Sequence, residues 1–448
     1  MKKNHFYWIA IILFVAATGF IVLKYKKDEK TNVTTFYPLK ERTGAIAQSE
    51  EARRVQKQFA DLVRSVRTDP DDMKSRIALA SLYTQEARVT GHHEYYDLAA
   101  MKYVNEVLEK DSLHFEALTF KALLKLSQHD FSNGLALAEK ARAVNPDNAF
   151  VHGILVDGYV ELGNYTAAVK EADIMMSLRP DLRSYSRVSY LREIHGDYPG
   201  AIQAMKLAVD AGAPGDEATE WARVHLGELF ETTGDLRNAE MHYQISLQCR
   251  PGYAYALAGL GRLASASEEF DKAISYFTEA DLLLDELSFK EEMADLYELA
   301  GQKNKADSII NRLKNSIADD LKNEVSNEEI TYHADAELAH VYLKAGGYDQ
   351  ALQHALADYN RRPSNIQVNE TLAWVYYNKK EYDKALIYLE AAMKTRSKNP
   401  VLLCRAGLIY AKNGKRDKAK LLLGEILNTN CNIPAPLKQQ AIQELQTL

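Results

Sequence analysis

The sequence predicts an all-α fold: a solenoid of about ten helix–turn–helix repeats, preceded by one N-terminal transmembrane helix. Three observations carry this expectation. A small residue recurs at a fixed point, as Ala100, Gly134, Ala168, Ala201, Ala239, Ala273, Ala306, Ala351, Ala385 and Ala419, with spacings of 34, 34, 33, 38, 34, 33, 45, 34 and 34. A helix stop recurs between these points, as Asp69-Pro70-Asp71-Asp72, Asn145-Pro146-Asp147-Asn148, Arg179-Pro180-Asp181, Arg250-Pro251-Gly252 and Arg362-Pro363-Ser364-Asn365. Proline blocks continuation there, and Asp, Gly or Asn favours the turn. Phe6 to Leu23 is an uncharged run of 18 residues between Lys2, Lys3 and Lys24, Lys26, Lys27.

Taken in order, residues 1–27 read as a signal anchor. The run spans roughly 27 Å as a helix, near the roughly 30 Å hydrocarbon core, and its flanking lysines can snorkel. Eleven of its residues are Leu, Ile, Val or Phe, which favour insertion. A cleaved signal peptide with Ala16-Ala17-Thr18-Gly19 as its site is the competing reading, but the apolar run resumes at once with Phe20. No cysteine follows the run to take a lipid. The expected placement is a single-pass bacterial inner-membrane protein with an extracytoplasmic body; a cytoplasmic-facing body is the alternative, towards which the unpaired cysteines weigh.

Residues 28–48, polar and containing Pro38 and Gly44, suit a tether, and 49–72 a capping helix with Ser49 as N-cap. The repeat array is expected over 73–432, with insertions near 89–96 and 318–330 that should project from a solenoid. Residues 433–448 read as a C-terminal capping helix.

The unit is shown best by FEALTFKALLKLSQHDFSNGLALAEKARAVNPDN, Phe115 to Asn148. With Leu226-Gly227, Phe230, Ala239, Tyr243 and Pro251, then Leu260-Gly261, Ala273, Phe277 and Ala280, then Leu372-Ala373, Tyr376, Ala385 and Ala392, it resembles the tetratricopeptide repeat. The resemblance covers Ser49 to the C-terminus and implies a right-handed superhelix whose stacked repeats supply the core. The run RSYSRVSYLREIHGDYPGAIQAMKLAVDAG also resembles a group of bacterial repeat proteins, often membrane-anchored or exported, which brings no activity with it.

The family resemblance also implies which offsets of each first helix face the concave groove. In the fourth repeat these are Arg183, Ser186, Tyr190, Glu193 and Ile194. Elsewhere they are Trp221 and Glu228, Tyr255 and Arg262, Asp295, His333 and His340, and Trp374 and Tyr377. Aromatics and arginines of this kind are enriched at binding hot spots, so Arg183, Tyr190, Trp221, Tyr255, Arg262, His340, Trp374 and Tyr377 are the candidate partner-binding residues. The bland alternative is that such aromatics pack between repeats. The carboxylate clamp with which some family members hold chaperone tails needs Asn at the ninth offset; the chain has Leu123, Asp157, Tyr190, Glu228, Arg262, Asp295, His340, Trp374 and Leu408 there.

Composition and motifs exclude other classes. The chain of 448 residues is 46% apolar and 26% charged, as globular proteins are. A net charge of −7 and a pI near 6.0 leave no basic field for nucleic acid. Cys249, Cys404 and Cys431 have neither disulfide nor zinc spacing. His333, Glu337 and His340, at i, i+4 and i+7, are weak candidates for metal ligands on one helix face, and His92-His93-Glu94 weaker ones. No nucleophile elbow, zinc-protease motif or phosphate loop is present, and the repeats leave no room for a catalytic domain. No cofactor is implied and no enzyme. The expected function is a membrane-anchored scaffold that binds a partner protein segment in its concave groove; the alternatives are an envelope solute- or metal-binding protein and an architectural spacer.

Overall fold

The computed structural model describes residues 36–324, 332–429 and 431–448. The apolar run 6–23 lies outside them, as do residues 325–331 in the second insertion. Among the described residues no helix is long and apolar enough to cross a membrane. Met1–Glu41 and Arg42–Leu448 separate as two compact units, and every described helix belongs to the second.

All regular structure among the described residues of this unit is helical. A 3₁₀ turn, Gly44–Gln48, leads into α1 (Glu50–Thr68), whose N-terminal N–H groups are capped where the side chain of Ser49 accepts Ala52 N–H at 3.1 Å. Ten antiparallel helix pairs follow. Repeat 1 is Met73–Thr90 with His93–Lys110, repeat 2 Phe115–Ser127 with Phe131–Val144, and repeat 3 Ala149–Glu161 with Tyr165–Leu178. Repeat 4 is Leu182–Ile194 with Tyr198–Asp210, repeat 5 Glu217–Thr232 with Leu236–Cys249, repeat 6 Ala254–Ala266 with Phe270–Leu283, and repeat 7 Leu287–Leu299 with Lys303–Glu324. Repeat 8 is Asp335–Lys344 with Tyr348–Arg361, repeat 9 Ile366–Asn378 with Tyr382–Ala392, and repeat 10 Pro400–Lys412 with Arg416–Leu427. The C-terminal helix Ala435–Thr447 packs on repeat 10.

Each repeat turns on one left-handed residue. Seven are glycines (Gly91, Gly163, Gly196, Gly234, Gly301, Gly346 and Gly414), and His129, Glu268 and Lys380 hold the same conformation in repeats 2, 6 and 9. Each junction between repeats ends on a cap where the sequence supplies one: Asn148, Asp181, Asn365 and Asn399 all accept N–H groups of the following helix. The recurring small residues let helices close up. Tyr243 is fully buried with its ring between Gly227 and Gly259, where a Cβ would come within 2.5 Å and 2.6 Å of it respectively.

The insertions do not behave as projecting loops where they are described. In repeat 1 the extra residues lengthen both helices to 18 residues, and the turn is only Gly91 and His92. The reason is apolar: Tyr83, Tyr96 and Tyr103 are buried together, with Tyr83 5.8 Å from Tyr96 and 6.0 Å from Tyr103. In repeat 7 the second helix runs on to Glu324, for 22 residues.

The solenoid also closes on itself. The turn of each early repeat meets a junction about 200 residues later in sequence. Turn 1 meets junction 6/7, since a Cβ on Gly91 would lie 2.8 Å from the Leu284 side chain. At turn 2, His129 Nδ1 lies 3.2 Å from His333 O, and His333 N–H donates to Gln128 O at 3.2 Å. At turn 3, Asn365 Nδ2 donates to Glu161 O at 3.0 Å and Arg362 pairs with Glu161. At turn 4, a Cβ on Gly196 would lie 2.8 Å from Arg396 O; at turn 5, Asn432 Nδ2 donates to Glu231 Oε1 at 2.7 Å. At the N-terminal end Glu51 pairs with Arg250, and Arg42 pairs with both Glu51 and Glu86.

Candidate functional site

The first helices of the repeats face inward, and their polar residues form two regions. Over repeats 3 to 7 these residues are largely satisfied by one another. Arg187 holds Asp157 with two bonds, at 2.6 Å and 2.9 Å, and also donates to Gly153 O. Arg262 bridges three repeats, reaching Glu228 at 3.0 Å, Glu231 at 3.2 Å and Glu292 at 3.5 Å. Glu231 also accepts Tyr243 OH at 2.8 Å, and His225 lies 2.7 Å from Glu228.

These groups keep some access to solvent yet are surrounded by protein, and their ionisation responds. Burial pushes Glu228 up, but the charges of His225 and Arg262 outweigh it and bring the carboxyl down to about 2. Burial raises Glu193 to about 7, with Glu228 adding to it. Burial likewise takes Glu292 to about 7 despite Arg262, and Glu291 to about 7 despite Lys344.

Over repeats 7 to 10 the interior opens into a cavity of about 290 Å³, closed on one side by Pro434, Pro436, Leu437 and Gln440 of the C-terminal segment. Its polar lining comes from Asp295, His340, Lys344, Thr371, Asn378 and Arg405, with Trp374 between them. Lys344 reaches Asp295 at 2.6 Å and Arg405 reaches Glu370 at 2.7 Å. His340 is solvent-exposed, yet the protein around it, then the cations Arg405 and Lys344, push its imidazole down to about 4; it shares a hydrogen bond with Thr371 at 3.2 Å.

Of the eight residues singled out from sequence, the cavity brings together His340 and Trp374. Tyr377 stacks on Trp374 at 4.7 Å, and the Arg405 guanidinium lies 5.1 Å over the indole, so Trp374 is a supported wall rather than a bare platform. Tyr190 lies apart from the cavity, at the closure, its hydroxyl 3.5 Å from Gln367 Nε2. Trp221 packs against the core and meets His225 edge-on at 4.0 Å. Tyr255 donates to Glu286 at 3.2 Å and packs on Phe289. Arg183 is exposed with its guanidinium 5.0 Å over Phe150, and Arg262 is the three-repeat hub. Ser186 and Ile194, expected in the groove, are buried in the core.

The histidine and glutamate set needs correction. The helix begins at Asp335, so His333 stands outside it, held by turn 2, and cannot share a helix face with His340. Glu337 accepts Tyr332 OH at 3.0 Å and lies 3.6 Å from His129. Among the described residues no three metal-ligating side chains converge. Sequence reading missed Arg187, Thr371 and Arg405, which occupy one offset, the sixth of the first helix in repeats 4, 9 and 10. That recurrence was the available signal.

The tetratricopeptide repeat family model matches residues 337–400, which are repeats 8 and 9. The chain is similar to Hsc70-interacting protein 1 of Drosophila melanogaster, 26% identical over 145 residues, covering 31% of this chain and 35% of that protein. It therefore spans about a third of the length of that curated relative. Among solved structures it is similar to a tetratricopeptide repeat protein from Parabacteroides merdae, with 16% identity, coverage of 59% of this chain and 98% of that one, and a TM-score of 0.34. It is also similar to the human IFIT1 dimer with m7Gppp-AAAA, with 13% identity, coverage of 79% and 78%, and a TM-score of 0.48. Residues 337–400 are thus tetratricopeptide repeats, and the other helix pairs share with them the recurring small residue and the left-handed turn.

Proposed function

We propose that this chain is a membrane-anchored protein–protein interaction scaffold, with the cavity of repeats 7 to 10 as the place where a partner segment is held. Tetratricopeptide repeat proteins mediate protein–protein interaction. The observation that carries the reading for this chain is the cavity itself: about 290 Å³ of space beside Trp374, Arg405 and His340, in an interior whose other polar groups mostly satisfy one another. Trp and Arg in a concave, partly dry site are the side chains that supply hot-spot energy. Asn378 donates its amide N–H to Trp374 O at 2.8 Å, which leaves its oxygen for the N–H of an extended segment.

A chaperone tail is not the occupant proposed, although the relative's name couples that protein to Hsc70. The positions where the clamp asparagines would stand hold Leu123, Asp157, Tyr190 and other residues instead. The membrane anchor rests on the apolar run 6–23 and its lysines, and the body is proposed to be extracytoplasmic. Anchoring raises the effective concentration for a partner in the same bilayer.

The test is mild crosslinking and detergent-solubilised capture with the full chain, a Trp374→Ala/His340→Ala variant, and Trp221→Ala as control. A protein lost with the cavity variant and retained with the control supports the reading. Capture of the same proteins by all three overturns it. The anchor is checked separately: the full chain should stay in the membrane pellet after alkaline carbonate extraction, and deletion of residues 6–23 should release it.

A further inference from the structure

The self-closure is one-sided. It covers turns 1 to 5 with the junctions of the later repeats, so among the described residues the turns of the last five repeats and the junctions of the first repeats are left bare. At turns 7, 8 and 10 a Cβ on Gly301, Gly346 or Gly414 would meet nothing within 4 Å, whereas at turns 1, 3 and 4 it would strike the neighbouring junction.

The bare edges carry the same residues as the covered ones. Tyr348 follows the turn of repeat 8 as Tyr165 follows that of repeat 3, yet Tyr165 is 7% exposed under its junction and Tyr348 36%. Arg179-Pro180 opens junction 3/4 as Arg362-Pro363 opens junction 8/9, yet the Arg362 side chain is 9% exposed and that of Arg179 74%. Apolar side chains line the bare junctions, with Leu113 54% exposed, Val144 44% and Leu178 39%. Their counterpart at a covered junction, Leu283, is half-buried beneath Gly44.

We propose that the bare turns of one copy dock on the bare junctions of a second copy, so that the chain self-associates head to tail and continues between molecules the contact it already makes within one. Because the two edges differ, the contact is heterologous: each copy keeps one free edge after joining, and assembly does not stop at a dimer. The contact runs edge to edge, which leaves α1 and the C-terminal helix in place on the stacking faces of repeats 1 and 10. It does not depend on what the interior binds.

The test uses the full chain in detergent, with light scattering to give the protein mass of the complex. Tyr348→Glu blocks the turn edge; Leu178→Glu and, as a second choice, Arg179→Glu block the junction edge. All three sites are exposed, so folding should change little. The parent should rise with concentration beyond twice the 50.5 kDa chain. Each variant alone should stay at one chain. An equimolar mixture of Tyr348→Glu and Leu178→Glu should recover pairing, at two chains and no more, since it holds one intact edge of each kind. A parent that remains at one chain up to on the order of 100 μM overturns the proposal. So does a mixture that pairs no better than its components, as a symmetric dimer would give.

Discussion

The phenolic oxygen of Tyr165 accepts the backbone N–H of Ile366 at 2.9 Å, joining positions 201 residues apart. A repeat array ordinarily has only nearest-neighbour interfaces, so its stability is a sum along one dimension. Here the hydrogen bond belongs to a seam of turns on junctions that couples repeat n to repeats n+5 and n+6. Beside it the Lys394 ammonium lies 4.9 Å over the Tyr165 ring, and Asn369 donates to Pro363 O at 2.8 Å, which fixes the junction.

Gly163→Ala should therefore cost more than an identical change at an uncovered turn. Gly163 and Gly414 have φ of +76° and +71°, so alanine costs about 1 kcal/mol or more at either from backbone strain. Only at Gly163 does the new methyl also collide, 2.1 Å from Ser364 O. We expect about 2 kcal/mol of further destabilisation there, from overpacking and lost seam bonds. Chemical denaturation of the two variants checks it. Equal losses would show that the seam adds nothing to stability.

Arg262→Met should destabilise by about 3 kcal/mol, because it leaves Glu231, whose side chain is 8% exposed, and its neighbours Glu228 and Glu292 without their shared cation. Adding Glu231→Gln removes one of the stranded charges, so the double variant should lose less than the sum of the two singles. A double-mutant cycle measures this, with an interaction of about 1 kcal/mol or more expected. Simple additivity would mean that water screens the group fully.

The repeats were legible because the fold depends on local signals: small residues that permit close approach, prolines that stop helices, and caps that start them. The seam was not, because its residues play ordinary local roles as well. Asn365 reads as an N-cap and Gly163 as a turn, and nothing in either shows that a second partner waits about 200 residues away. The site was legible in part for the same reason. Trp374 and His340 stood out by type, whereas Arg405 and Thr371 become meaningful only once the C-terminal segment closes the cavity over them. His333 misled because its spacing is helical although the helix starts two residues later.

Arg405→Gln should raise the pKa of His340. The exposed imidazole is brought down to about 4 first by the protein crowded around it and then by Arg405 and Lys344, so removing one cation should lift it part of the way to its ordinary value near 6.5. Titration by NMR of the His340 ring checks this, with a rise of roughly half a unit or more expected. No movement would place Arg405 electrostatically apart from His340, and with it the assignment of both to one cavity wall would fall.

Stability should fall as pH rises from about 4.5 through neutrality, because three raised carboxyls outweigh one lowered histidine. Burial holds Glu193, Glu291 and Glu292 at about 7, above their unfolded value near 4.5, so the folded state binds more protons than the unfolded one between these limits. Their contribution is fully present below about pH 4.5 and is lost as pH rises through 7. His242 runs the other way. Burial, then Arg223 and Lys206, lower it to about 4, so the unfolded state binds the extra proton and stability falls as pH drops from about 6.5 towards 4. Melting temperatures should accordingly be higher at about pH 5 than at about pH 8.5, by roughly 2 °C or more. Glu193→Gln and Glu292→Gln should each make this fall shallower, and His242→Gln should make it steeper. A fall unchanged by both glutamine variants would show that these carboxyls titrate as exposed groups, and that the interior is wetter than its geometry implies.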